Sequence, residues 1–313
     1  MNGGANMNPY LNINRLEFIL TQRCTGRCRH CSAGAMVAQP KGTHVPQEAA
    51  VRAVRELAEM YDMQSVMTFG GEPLLYPEVT CAIHRAATEC GIPRRQLITN
   101  GFFSRDEARI RQVAKVLADA GVNDVLISVD GFHQETIPLE VVRCFALAVK
   151  AAGIEKARFS PAWVVNETFD CPENTRTREV LSQLEDTGLP VHEGNDIFMA
   201  GNAIEHLSHY YPPAQLNMAD CCGSMPYTEP LTNQTSLSIE PDGNVTVCGF
   251  VIGNVCREHM AEIVARYDPF GTEGMRAAAE GVPGLLALAE KRGIQVDLSR
   301  CYSVCDLCRM VNK

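Results

Sequence analysis

Three cysteines stand within eight residues, Cys24-Thr-Gly-Arg-Cys28-Arg-His-Cys31, directly after an apolar run, Leu16-Glu-Phe-Ile-Leu20. Thiols this close, on a loop that leaves a strand, can hold three irons of a cubane cluster. The fourth iron then has no protein ligand. An open metal position is what a catalytic site keeps and a structural site closes. Cys-x3-Cys-x2-Cys also differs from the usual zinc pattern of two separated pairs. The motif therefore predicts a [4Fe-4S] cluster with one free iron.

The surrounding chain alternates between two periods. Residues 15–21 predict a buried strand that ends at the cysteine loop. Residues 32–45, with Gly34, Pro40 and Gly42, read as loop. Pro46 opens a helix, since proline suits a first turn. Val51, Val54, Leu57, Ala58 and Tyr61 then recur at helical spacing. Further strands are predicted at 65–69, 96–99, 124–129, 157–165 and 191–198, with helices at 79–89, 106–120, 139–152 and 177–184. Such alternation means βαβ units and a parallel sheet. Six units do not close an eight-stranded barrel. The fold class is therefore α/β, an open, partial (β/α)6 barrel over residues 14–212 with a mouth wide enough for a bulky substrate. Residues 1–13 read as polar and poorly ordered. The rhythm stops near Tyr210-Tyr-Pro-Pro213. Residues 213–313 read as a small cysteine-rich extension. It holds a hairpin over 236–248 turning at Asp242-Gly243 and helices at 258–267 and 285–292.

Composition excludes several classes. The formal charge is 28 − 37 = −9, which argues against nucleic acid as the main partner and leaves a basic peptide open. Fourteen cysteines are too many for an ordinary enzyme with inert thiols, and too unevenly spaced for a small disulfide scaffold. The N-terminus lacks a basic region followed by an apolar core, and no apolar run is long enough to span a bilayer. A reducing cytoplasm and no membrane association are expected.

Four further segments follow the first motif in order: Gly70-Gly71-Glu72-Pro73, Thr99-Asn100-Gly101, Ser128-Val-Asp130-Gly131 and the cysteine-rich tail. Together they resemble the radical S-adenosylmethionine (SAM) enzymes, and the tail resembles the auxiliary-cluster extension called SPASM or its shorter form, twitch. The resemblance implies that Cys24, Cys28 and Cys31 hold the cluster and that SAM chelates its open iron. Gly70, Gly71 and Glu72 would meet the SAM amino group, and Ser128 and Asp130 its ribose or carboxylate. Asn100 would line the floor, and His30 would stand beside adenine, where the family usually has an aromatic. A reductant such as flavodoxin or ferredoxin is implied. Each motif falls at the carboxyl end of a predicted strand, where α/β folds gather function.

In the tail, Cys221, Cys222, Cys248, Cys256, Cys301, Cys305 and Cys308 are available. One auxiliary [4Fe-4S] cluster suits this number and spacing better than two. Cys248, Cys301, Cys305 and Cys308 make a complete set. In the competing set Cys221 or Cys222 replaces one of the last three, and a structural zinc on the same thiols is the alternative. Neighbours in extended chain point opposite ways, so Cys221 and Cys222 rarely bind one cluster together; where one is a ligand, the other is free. The other would face the barrel mouth as a hydrogen-atom donor, as in the peptide epimerases this layout resembles, or be inert. His133 and Glu135 sit near the same rim as substrate contacts or helix-start decoration. Arg158 and Ser160 are weaker candidates for the SAM carboxylate. Cys81, Cys90, Cys144 and Trp163 read as core, and Cys171 has no assigned role.

Three functions are weighed. The first is radical SAM chemistry on a peptide or protein, such as epimerisation or cross-linking, although no extra N-terminal domain for leader recognition is seen. The second is the same chemistry on a small metabolite. The third, a non-catalytic iron–sulfur electron carrier, predicts no SAM binding.

Overall fold

The computed structural model describes residues 8–34, 37, 43–226 and 228–312. Strand β1 (Leu11–Ile19) leads into the cysteine loop. It starts before residue 15 because Leu11 and Ile13, flanking the exposed Asn12, alternate into the core at 3% and 2% exposure. The expectation that residues up to 13 are poorly ordered therefore fails from residue 8 onward; residues 1–7 lie outside the described residues.

The alternation then runs as predicted: α1 (Gln47–Met60), β2 (Ser65–Phe69), α2 (Pro77–Glu89), β3 (Arg94–Thr99), α3 (Glu107–Asp119), β4 (Asp124–Ser128), α4 (Leu139–Ala151) and β5 (Lys156–Ser160). The five strands pair in parallel, each with the next. Local chemistry sets the helix starts. Asp106 accepts from the Ala108 amide at 2.9 Å and caps α3. β4 is buried along four of its five residues, as an interior strand covered on both faces must be.

The sixth unit is broken. β6 (Ala162–Trp163) and α5 (Pro172–Ser182) precede β7 (Asn195–Asp196), which pairs in parallel with β6 alone. Upstream, Val191 makes a single parallel bridge to Phe159 of β5. Gly194 separates the two pieces with φ +103°, and a Cβ there would meet the Trp163 ring at 2.6 Å. The expected strand over 191–198 thus survives as two fragments around a bend.

α6 (Asn202–Leu207) follows, and then the extension: β8 (Gln234–Ile239), β9 (Asn244–Val247), β10 (Phe250–Asn254), α7 (Met260–Ala265), α8 (Glu273–Ala279), α9 (Val282–Lys291) and α10 (Val304–Val311). β8 and β9 form the expected hairpin, with Gly243 at φ +84° in its turn. The hairpin does not stand apart. β8 pairs in parallel with β1, and the sheet order is β10-β9-β8-β1-β2-β3-β4-β5. One hydrophobic core joins β1, β2, α1 and α2 to β8, β9 and α7–α10. The change near residue 213 is therefore a change of topology within one sheet. Among the described residues no helix is long and apolar enough to cross a membrane.

Candidate active site

The carboxyl ends of β1 to β4 surround a cavity of about 220 Å³ lined by Cys24, Cys28, His30, Cys31, Gly70, Gly71, Asn100, Ser128 and His133. The cysteine loop is zipped onto the end of β2. Leu20 donates to Phe69 O at 2.8 Å, Gly71 to Thr21 O at 2.7 Å and Glu72 to Arg23 O at 2.8 Å. A Cβ on Gly71 would lie 2.1 Å from Arg23 O. The two glycines are thus required where two backbones meet, beyond any approach of a ligand. At the outer side, Asn202 donates from its side chain to Cys28 O at 3.1 Å and from its backbone to Cys31 O at 3.0 Å. Arg29 pairs with Glu135 at 2.7 Å and Glu173 at 3.4 Å.

Two motif carboxylates face away from the cavity. Glu72 is fully buried. It accepts from Leu74 N at 2.8 Å, Thr99 Oγ1 at 2.7 Å and Asn100 N at 2.8 Å. Burial pushes its carboxyl up to about 7 against those donors. Asp130, also fully buried, accepts from Phe132 N, His133 N, His133 Nδ1 and Ala162 N at 2.8–3.0 Å. Burial opposes its ionisation, but His133 and the amide donors hold it below the usual carboxylate range. Glu72 and Asp130, which the resemblance places at SAM, here bond to the loops that carry the site. Arg158 and Ser160 are likewise engaged elsewhere, the first with Asp124 at 2.5 Å and the second accepting from Asn195 at 3.0 Å. Glu135 holds Arg29.

His133 is the residue whose importance the linear order understated. Its Nδ1 donates to Asp130, and Cys28, His30 and His133 bring their ligand atoms within 4.8 Å of one another. Burial lowers its basicity, yet Asp130 and Cys28 raise it well above the ordinary value. Its place three residues after a motif aspartate, on a turn capped by that aspartate, was the available signal. His30 is instead pulled down to about 4 by burial, and its Nδ1 is buried without a partner. Asn100 donates to Cys24 Sγ at 3.5 Å, as Gly26 N does at 3.3 Å.

These residues fit a cluster and SAM. Burial raises the Cys24 thiol to about 11, so a thiolate there needs a metal to stabilise it. His30 and Asn100 border the same space.

A second cavity of about 590 Å³ is lined by Cys222, Cys248, Cys305 and Cys308. Cys305 and Cys308 stand one turn apart on α10 and so share a face. Cys248 takes φ +48° in the β9–β10 turn, with Gly249 at φ +81° beside it, a conformation costly for a residue with a Cβ. The hydrogen bond from Cys248 brings Cys222 down to about 7 and, with burial, holds Cys248 up. Burial pushes Cys308 up to about 11. Cys301 lies elsewhere, fully buried in the core and directed at Asp297 O at 3.6 Å. The lining of this cavity thus coincides with the competing set that contains Cys222, not with the one that contains Cys301. Cys221 is exposed and borders neither cavity, and Cys256 packs on Gly243. The hydrogen-donor geometry expected of a free Cys221 is not found. Cys171 caps α5, accepting from Asn174 N at 3.5 Å, and Cys81 and Trp163 are buried in the core as expected. The two cavities share one wall, Asp196, Ile197 and Phe198.

Residues 18–158 match the Radical SAM superfamily. That match takes in a little less than half of the chain. The match implies a [4Fe-4S] cluster and SAM. It is 28% identical over 131 residues to the GTP 3′,8-cyclase of Desulforamulus reducens, which covers 40% of this chain and 37% of the cyclase. The GTP 3′,8-cyclase of Lactiplantibacillus plantarum is 31% identical over 117 residues, 37% of this chain and 33% of the cyclase. The matched stretch thus spans little more than a third of those relatives' length. The structure of native anSMEcpe with bound AdoMet superposes with a TM-score of 0.51 at 15% identity, covering 93% of this chain and 88% of that one. That likeness is one of fold and extends through the tail.

Proposed function

We propose that this radical SAM enzyme takes a hydrogen atom from a small organic substrate seated between the two cavities, with an auxiliary [4Fe-4S] cluster on Cys222, Cys248, Cys305 and Cys308. The observation that carries the reading is the shared wall of Asp196, Ile197 and Phe198. A molecule resting there touches the SAM side and the tail thiols at once, and about 590 Å³ lies within the size range of small-molecule sites. A cluster held by Cys24, Cys28 and Cys31 would supply the one-electron reduction of SAM on which radical hydrogen abstraction depends.

The chain's own residues hold and aim. Cys24, Cys28 and Cys31 carry the cluster; the backbone at Gly70-Gly71, Asn100, Ser128 and His30 is the candidate SAM cradle. Glu72 and Asp130 keep that cradle in place through Thr99, Asn100 and His133. Curated relatives are named for a reaction on GTP, a small metabolite. This favours the small-molecule reading over the peptide or protein substrate that the tail's resemblance suggests. All fourteen cysteines are unpaired, which suits a reducing cytoplasm and a flavodoxin- or ferredoxin-like electron donor.

The test has two parts. Anaerobically reconstituted protein should hold about eight irons, falling to about four when Cys24, Cys28 and Cys31 are all replaced by Ala. The same variant should form no 5′-deoxyadenosine from SAM after reduction. Persistent cleavage would end the assignment and revive the electron-carrier reading. Metabolites and peptides from cells grown in deuterated medium are then offered separately. Deuterium should enter 5′-deoxyadenosine from the metabolite pool; transfer from the peptide pool alone would reverse the substrate choice.

A further inference from the structure

The chemistry of the larger cavity narrows the substrate class, on the reading that the substrate is a small molecule. Apart from its cysteines, the wall is built mainly by Phe198, Met199, Tyr211, Met225, Phe250 and Leu285. Methionine and aromatic side chains fit themselves to apolar bodies and offer few donors. Among the described residues two charged groups border this cavity, Asp196 and Arg309, and Arg309 lies 3.9 Å from Asp306. The SAM-side cavity adds no lysine or arginine among the described residues. A polyphosphate needs several convergent cations or amides, and burying its charge against an apolar wall is costly. Asp196, on the wall common to both cavities, would repel it.

We infer that the substrate is a neutral molecule with an apolar body, aromatic or alkyl, that reaches the SAM side past Asp196, Ile197 and Phe198. Nucleoside triphosphates such as GTP are not substrates of this chain, in contrast to what the names of its curated relatives indicate for them.

Anaerobic equilibrium dialysis of the reconstituted, SAM-loaded holoenzyme against indole, a neutral apolar probe, tests this. Indole should bind saturably, and excess GTP should leave that binding unchanged. Met225→Lys, which brings an ammonium into the wall, should weaken indole about tenfold. Met218→Lys, at a position 59% exposed, should not. Displacement of indole by GTP, saturable GTP binding, or no saturable indole binding would overturn the inference, as would wild-type affinity in Met225→Lys. The GTP competition is read on the wild-type protein and stands whether or not a variant folds. Deuterium transfer from peptides alone would end the small-molecule reading and leave these binding results untouched, so the two failures are distinguishable.

Discussion

Glu72 and Asn100 sit in adjacent motifs and do different work. Glu72 accepts three hydrogen bonds in a fully buried position. Glu72→Gln turns one acceptor into a donor and leaves a buried N–H or O–H unpaired, which costs about 1–3 kcal/mol. Denaturant titration of the holo-protein should show that loss, with SAM cleavage weakened alongside it; lost SAM affinity at unchanged stability would restore a direct contact. The pH dependence has a definite sign. Burial raises this carboxyl from 4.5 to about 7, so the folded state keeps a proton that the unfolded chain has released. Its contribution to stability falls as pH rises from about 4.5 to about 7, and the Gln variant lacks that slope. Asn100 instead donates to Cys24 Sγ, a proposed cluster ligand, at 3.5 Å. Hydrogen bonds to cluster sulfurs help set the potential. Asn100→Ala should therefore lower the midpoint potential of the SAM-site cluster in a redox titration followed by electron paramagnetic resonance. An unmoved midpoint would reduce Asn100 to a turn-former.

At the scale of elements, α10 decides which tail thiols act together. Its register puts Cys305 and Cys308 on one face, while Cys301 precedes the Ser303 cap and turns into the core. Cys301→Ser should keep about eight irons in the reconstituted protein, whereas Cys222→Ser or Cys305→Ser should lose up to about four. The opposite pattern would return Cys301 to the ligand set. The sequence shows three crowded cysteines; the helix that sorts them is short and was not anticipated from the pattern. The β9–β10 turn adds to this, because Cys248 holds a left-handed conformation, a kind of backbone strain that gathers at functional sites.

For the whole molecule, the parallel pairing of β8 with β1 makes the extension part of the barrel sheet. Ending the chain after residue 212 would bare the edge of β1 and open the core shared with α7–α10. Such a truncation should be insoluble or aggregate on purification; a soluble, SAM-cleaving 1–212 fragment would show two independent units. The cysteine loop, the order of strands and helices, and the strand-end placement of Gly70-Gly71, Asn100 and Ser128 were legible in the chain itself, since hydrophobic period and turn residues are local properties. What the local pattern did not carry was direction and partnership. The two acids Glu72 and Asp130 read as ligands in the chain, while the fold buries both against loop donors. His133 gained its role from Asp130 and Cys28, the latter more than a hundred residues away. Cys222, not Cys301, shares a cavity with Cys248, Cys305 and Cys308 because a helix turn and a hairpin tip meet across the fold. Sequence by itself determined the chemistry available at the first cluster, through residue type and spacing. The tertiary structure alone decided which side chains face the shared space and how apolar that space is, because long-range packing sets those quantities.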